Sequence, residues 1–173
     1  MVGYNNVNNV CRKVQPPVVT DFMLAGIRVV IRQGVASHIL RGHEKDFRFA
    51  VRGANTPFEK EQALAPYIRD MVVGAAELYV TDEGRTKQGS LLVHLRRPID
   101  RMFHRLIVTH EQGNRYRLET AYKLQMDAIT LGGFSGRLLV QYSHGVQVVL
   151  TAARVDSTNP DIARVHGYEV VYM

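Results

Sequence analysis

From Leu78 onward the apolar residues recur with a period of two, and that alternation limits the fold more than any other feature of the chain. Leu78-Tyr79-Val80-Thr81 is followed by a polar connection at 82–89 and then by Leu91-Leu92-Val93-His94-Leu95-Arg96. A turn at Arg97-Pro98-Ile99-Asp100 leads into His104-Arg105-Leu106-Ile107-Val108-Thr109-His110, and Gln112-Gly113-Asn114 closes a hairpin with 115–124. Apolar segments joined this closely pair antiparallel, because a parallel neighbour needs a crossover of a dozen or more residues. An antiparallel meander is therefore expected. It continues through strands at 137–142 and 146–153 around Ser143-His144-Gly145, a loop with helix-cap character at Asp156-Ser157-Thr158-Asn159-Pro160, and a final strand at 167–172.

The first half of the chain follows different periods. Thr20 or Asp21 suits the cap of a short turn through Phe22-Met23-Leu24-Ala25, and Ile27-Arg28-Val29-Val30-Ile31 is a strand candidate that Gln33-Gly34 turns into a helix at 36–43. Thr56-Pro57-Phe58-Glu59 reads as a helix start: threonine caps, proline takes the first helical position and Glu59 lies near the positive end of the dipole. That helix is expected to run to Val73, with a kink or break before Pro66, and to stop at Gly74. Helices first and strands afterwards make the fold class α+β, with N-terminal helices packed on a mainly antiparallel sheet and extra C-terminal strands. Residues 1–19, rich in asparagine and carrying Pro16-Pro17, read as a flexible N-terminal arm, 20–126 as the α+β core and 127–173 as a C-terminal β extension of the same domain.

A hydrophobic content of 46% over 173 residues is enough for a real core. It has to be, since the lone Cys11 rules out an internal disulfide framework and every multi-cysteine zinc site. Asn5, Asn6, Asn8 and Asn9 interrupt any signal-peptide core, and no run nears the eighteen or so apolar residues of a membrane span. The expectation is a cytoplasmic protein that does not touch membranes, although delivery by a phage or a dedicated secretion machine leaves no such trace. The net charge of +6 favours a polyanionic partner, most often nucleic acid.

Chemistry concentrates in Ala36-Ser37-His38-Ile39-Leu40-Arg41-Gly42-His43, where two histidines and an arginine fall within six residues. On a helix His38 and Arg41 share a face, with His43 roughly 140° from His38 at about 100° per residue. Two histidines so placed flank one cleft but do not form the paired ligands of an HExxH zinc site. Strict alternation sorts the last meander strand into Tyr116, Leu118, Thr120, Tyr122 and Leu124 on one side, and Arg115, Arg117, Glu119, Ala121 and Lys123 on the other. Thr120 and Tyr122 would then rise from an apolar face, where hydroxyls need partners. Projected towards the His38–His43 helix, they complete a cleft suited to phosphodiester cleavage without a metal. One histidine takes the proton of a ribose 2′-OH, a second acid protonates the leaving 5′-oxygen, and arginine offsets the charge building on phosphate.

Residues 26–31 leading into His38-Ile39-Leu40-Arg41-Gly42-His43, then a variable helix, Leu91 to Arg96, Pro98-Ile99-Asp100, His104 to Thr109 and the closing Leu118-Glu119-Thr120-Ala121-Tyr122 follow a known order. Over about residues 26–124 the chain resembles the phage-type members of the barnase, EndoU, colicin and RelE superfamily of ribonucleases. The resemblance implies a histidine-bearing helix before a four-stranded antiparallel sheet. It makes His38 or His43 the general base, Arg41 a phosphate contact, and Thr120 and Tyr122 substrate-positioning hydroxyls. A toxin of this kind would meet an acidic immunity or inhibitor protein.

Plainer readings compete at each of these positions. Histidines at a helix end also serve as surface or capping residues, and Thr120 and Tyr122 are good strand formers in their own right. The run Arg96, Arg97, Arg101, His104 and Arg105 fits phosphate tracking and a solvated charged turn equally, and Arg117 is a further candidate for nucleic-acid contact beside its four arginines. His94 and His110, on strands, suit rings satisfied by a neighbour; His144 and His166, each before a glycine, suit turns. Asp82-Glu83 and His43-Glu44 are isolated pairs, and no glycine-rich phosphate loop, G-x-S-x-G or carboxylate cluster calls for a cofactor or metal. Besides a ribonuclease, the chain fits a non-catalytic phage inhibitor or virion protein docking through its basic face. An ADP-ribosyltransferase-like enzyme, lacking an NAD signature here, ranks last.

Overall fold

The computed structural model describes residues 14–24, 26–81 and 89–124 and the backbone of three later strands at 138–143, 146–152 and 169–172, with the side chains of 77, 79 and 81 and of the later strands outside the description. Cys11, Asp82-Glu83, His144, His166 and the 156–160 loop lie outside the described residues.

The chain begins with a hairpin. β1 (Val18–Leu24) and β2 (Ile27–Arg32) pair antiparallel across a turn in which Gly26 takes φ 85°, a left-handed conformation that side chains with a Cβ disfavour. Two expectations change here. Residues 20–24 form a strand instead of a capped turn, because Phe22 and Leu24, two apart, both go into the core when Ile27 pairs with Leu24. The arm also ends earlier than residue 19: Val18 is already in β1, and the carbonyls of Pro16 and Pro17 accept from Arg32 Nη1 and the Gln33 amide.

α1 (Val35–His43) and a short 3-10 helix (Glu44–Phe47) follow, then α2 (Pro57–Val73). α2 starts as expected. Thr56 Oγ1 accepts from the Glu59 amide, and the Glu59 carboxylate accepts from the amides of Asn55 and Thr56, a complete capping box that holds the acid below its usual range. Thr56→Ala is expected to lower unfolding stability by about 1 kcal/mol, read from the urea midpoint. Pro66 does not break α2, which continues to the Gly74 cap.

The meander comprises β3 (Glu77–Thr81), β4 (Ser90–Arg96), β5 (His104–Gln112) and β6 (Arg115–Lys123), each antiparallel to the next, and β7 (Leu138–Ser143), β8 (Val146–Ala152) and β9 (Glu169–Tyr172) extend the sheet beyond β3. The sheet order is β1-β2-β6-β5-β4-β3-β7-β8-β9, so the fold is α+β on a mainly antiparallel sheet. One pairing is parallel: β2 runs beside β6 through Val29 and Tyr116. Between these two strands lie the helices and the rest of the meander, which supply the long connection a parallel pair requires. Leu91, Val93, Leu95, Leu106, Val108, Leu118 and Ala121 form the sheet side of a single core that Ile39 of α1 and Leu64, Ile68 and Val72 of α2 cover. At the hairpin end Arg32 grips the nearly buried Glu111 carboxylate with two bonds of 2.7 and 2.8 Å, and the charge-assisted contact holds that acid below its usual range.

Candidate active site

The sheet register moves Thr120 and Tyr122 to a different face from the one strict alternation assigns. Ile107 pairs with Thr120 while Val108 pairs with Leu118, so Glu119 is the extra residue of a β-bulge. Past the bulge the parity inverts. Ala121 becomes the buried partner of Leu106, and Thr120 and Tyr122 share the opposite face with Arg117, Ile107 and Arg105. Both hydroxyls therefore leave the apolar face, and that of Tyr122 sits beside an arginine.

α1 is built to lie along the edge of this strand. β2 stops pairing with β6 at Arg117, turns at Gly34 (φ 92°) and continues as α1 against the rest of β6. Ala36 and Ile39, three apart, are buried and fix the helix, while the Gly34 amide donates at 2.5 Å to the buried Glu61 of α2. The edge amides of β6 need partners once β2 has left, and Asp46 supplies one: its Oδ2 accepts from the Lys123 amide at 3.0 Å. The same carboxylate oxygen lies 3.8 Å from His43 Nδ1, with the Asp46 side chain only 5% exposed and His43 37% exposed.

His43 stacks on Tyr122, ring centroids 5.0 Å apart and planes 23° from parallel. Arg105 donates from Nη1 to the Tyr122 hydroxyl at 3.2 Å, lies 5.9 Å from that ring's centroid, and donates from Nε to His94 Nε2 at 2.8 Å. Because a guanidinium has no lone pair to offer, His94 Nε2 is the acceptor and its proton sits on Nδ1. A histidine, a tyrosine hydroxyl and a cation thus meet at one point, drawn from α1, β6 and β5. Next to it, His38, Arg41, Gly42 and His43 line an open hollow of about 430 Å³. His38 also borders a neighbouring groove of about 620 Å³ that reaches Arg117 and Glu119.

The five arginines proposed for phosphate contact do not act as one set. Arg96 donates to the carbonyls of Arg97 and Asp100, and Arg97 binds Asp100 at 2.8 Å and the Tyr67 hydroxyl at 2.6 Å. Burial alone would raise the Asp100 carboxyl, but the Arg97 hydrogen bond and charge hold it below its ordinary value. These two arginines build the β4–β5 turn, in which Arg101 stands exposed. Arg105 belongs to the Tyr122 cluster, and Arg117 pairs with Glu119 at 3.3 Å beside His38. His110 Nε2 bonds the Gly113 carbonyl at 2.7 Å, tying down the hairpin turn.

Asp46, and Arg105 as a partner of tyrosine, are the members that sequence reasoning missed. Asp46 had a readable signal, its i,i+3 spacing from His43. Arg105 meets Tyr122 only through strand register, which leaves no local trace. Among the described residues no three His, Cys, Asp or Glu side chains form a group able to hold a metal ion, and no helix is long and apolar enough to cross a membrane. Comparison with protein-family models, with curated proteins and with solved structures returns no match.

Proposed function

We propose that this chain is a phage- or toxin-type ribonuclease that cleaves RNA by attack of the 2′-oxygen and needs no metal ion. The observation that carries this reading is the His43–Tyr122 stack with Arg105 on the tyrosine hydroxyl. His43 is the general base. The Asp46 carboxylate on its Nδ1 side favours the tautomer with the proton there, which leaves the Nε2 lone pair for the 2′-OH proton. The 2′-oxygen then forms its bond to phosphorus as the bond to the 5′-oxygen breaks, and His38, across the same hollow, protonates the departing oxygen. The products are a 2′,3′-cyclic phosphate and a 5′-hydroxyl, with no water consumed.

Negative charge grows on the non-bridging oxygens as phosphorus becomes five-coordinate. Arg41 at the hollow supplies a cation, and Tyr122, whose oxygen already accepts from Arg105, keeps its own proton to donate. Thr120, on the same face two residues earlier, positions the ribose. The site of action is the host cytoplasm, and the partner expected besides RNA is an acidic inhibitor that covers the basic cleft.

Purified protein incubated with total RNA in EDTA is expected to yield fragments ending in cyclic phosphate. RNA left intact under these conditions, yet bound in a salt-sensitive complex, would replace cleavage with a pure binding role.

A further inference from the structure

We propose that the end of α1 and the segment following it form a binding ridge for single-stranded RNA, where a base stacks on Phe49 and the backbone runs along Arg41, Lys45, Arg48 and Arg52. The proposal rests on the ribonuclease reading and names where the strand goes once it leaves the His43 hollow. The backbone stays near-helical past the 3-10 helix, with Arg48 in the right-handed α region and the Val51 amide donating to the Phe47 carbonyl. Phe47 and Val51, four residues apart, are buried and anchor one side of this segment. Lys45, Arg48, Phe49 and Arg52 are consequently left on the surface.

Lys45, Arg48 and Arg52 are spaced three and four residues apart along this near-helical stretch, and Arg41, on α1 ahead of the non-helical His43 (φ −136°, ψ 26°), lines the hollow itself. The two carboxylates in the stretch do not cancel them. Glu44 pairs with Lys60 at 3.4 Å, and Asp46 is turned inward to the Lys123 amide. Phe49 is 78% exposed, so its ring is open to a partner. The Arg52 guanidinium lies 5.0 Å from the ring centroid and covers one face. That leaves the other face for a base, giving a base–phenyl–guanidinium stack. Aromatic rings interleaved with cations are the chemistry by which unpaired strands are held without regard to sequence. A double helix, with its bases inside the stack, offers no face to Phe49.

The test uses a dinucleoside monophosphate and a mixed-sequence twelve-nucleotide RNA as cleavage substrates, and an uncleavable 2′-O-methyl twelve-mer for binding. Phe49→Ala is expected to weaken twelve-mer binding roughly tenfold, and to raise KM on the cleavable twelve-mer alike, with dinucleotide cleavage unchanged. Phe49→Tyr is expected to bind as the wild type does. Lys45→Gln with Arg48→Gln should lower the salt dependence of twelve-mer binding by about 0.7 in log–log slope per cation removed. Unchanged affinity and slope in these variants, equal losses on the dinucleotide and the twelve-mer, or tighter binding to a polyaspartate peptide than to RNA would each overturn the ridge. If the wild type cleaves neither substrate, the catalytic reading fails, and the 2′-O-methyl arm judges the ridge separately.

Discussion

Cleavage of RNA by the His43→Ala variant is expected to fall by about a hundredfold or more, the size of a lost general acid–base group and equivalent to about 2.7 kcal/mol of barrier. Two contributions disappear with the ring: the proton transfer itself, and the plate against which Tyr122 is held. His43→Phe separates them, since a phenyl group keeps the stack and moves no proton. It should be as inactive as the alanine variant while retaining the wild-type melting temperature. The side chain is more than one-third exposed and forms no part of the buried core, so neither substitution should disturb folding. Wild-type rates in both His38→Ala and His43→Ala, measured on the same RNA in EDTA, would end the assignment.

A second large effect belongs to His104, at the start of β5. It is 3% exposed, its Nδ1 has no hydrogen-bond partner among the described residues, and Phe47 lies 6.0 Å from its ring centroid. Burial pushes this imidazole down to about 4; the nearby Asp100 carboxylate partly opposes the shift and Lys123 adds to it. Above about pH 6.5 the ring is neutral in both the folded and the unfolded chain, and its contribution to stability is fully present. As pH falls from there towards 4, the unfolded chain takes up a proton that the folded one refuses, and stability is lost. Below the folded value both states are protonated and the loss levels off. Over this window the cost is about 3 kcal/mol at 1.36 kcal/mol per unit. Urea midpoints at pH 7, 5.5 and 4.5 should show it, and His104→Leu should flatten the dependence between pH 6.5 and 4.5. A variant as acid-sensitive as the parent would assign the loss to Asp100, Glu111 and the other carboxylates instead.

Much of the architecture was legible in local spacing. The capping box from Thr56 to Glu59, the stop at Gly74 and the turn at Gly113 depend on residues only a few positions apart, so the sequence contains everything that decides them. Period-two alternation located β3 to β6 to within a residue or two, because half-buried strands select their side chains one at a time. β1 was misread although Phe22 and Leu24 carry that alternation, since Thr20 and Asp21 mimic a helix cap; pairing with β2 decides between the two.

By itself, then, the sequence determined that a basic α+β chain would carry two histidines on one short helix ahead of a meander ending in Thr120 and Tyr122. Only the tertiary structure decided that a bulge at Glu119 turns those hydroxyls onto the face of Arg105, that β2 joins β6 in parallel, and that His43 closes on Tyr122. The reason is physical. Caps, turns and alternation are settled by torsions and neighbours within a few residues, whereas register and edge contacts are settled by how distant segments share one core, and one extra residue in a strand reverses every side chain beyond it.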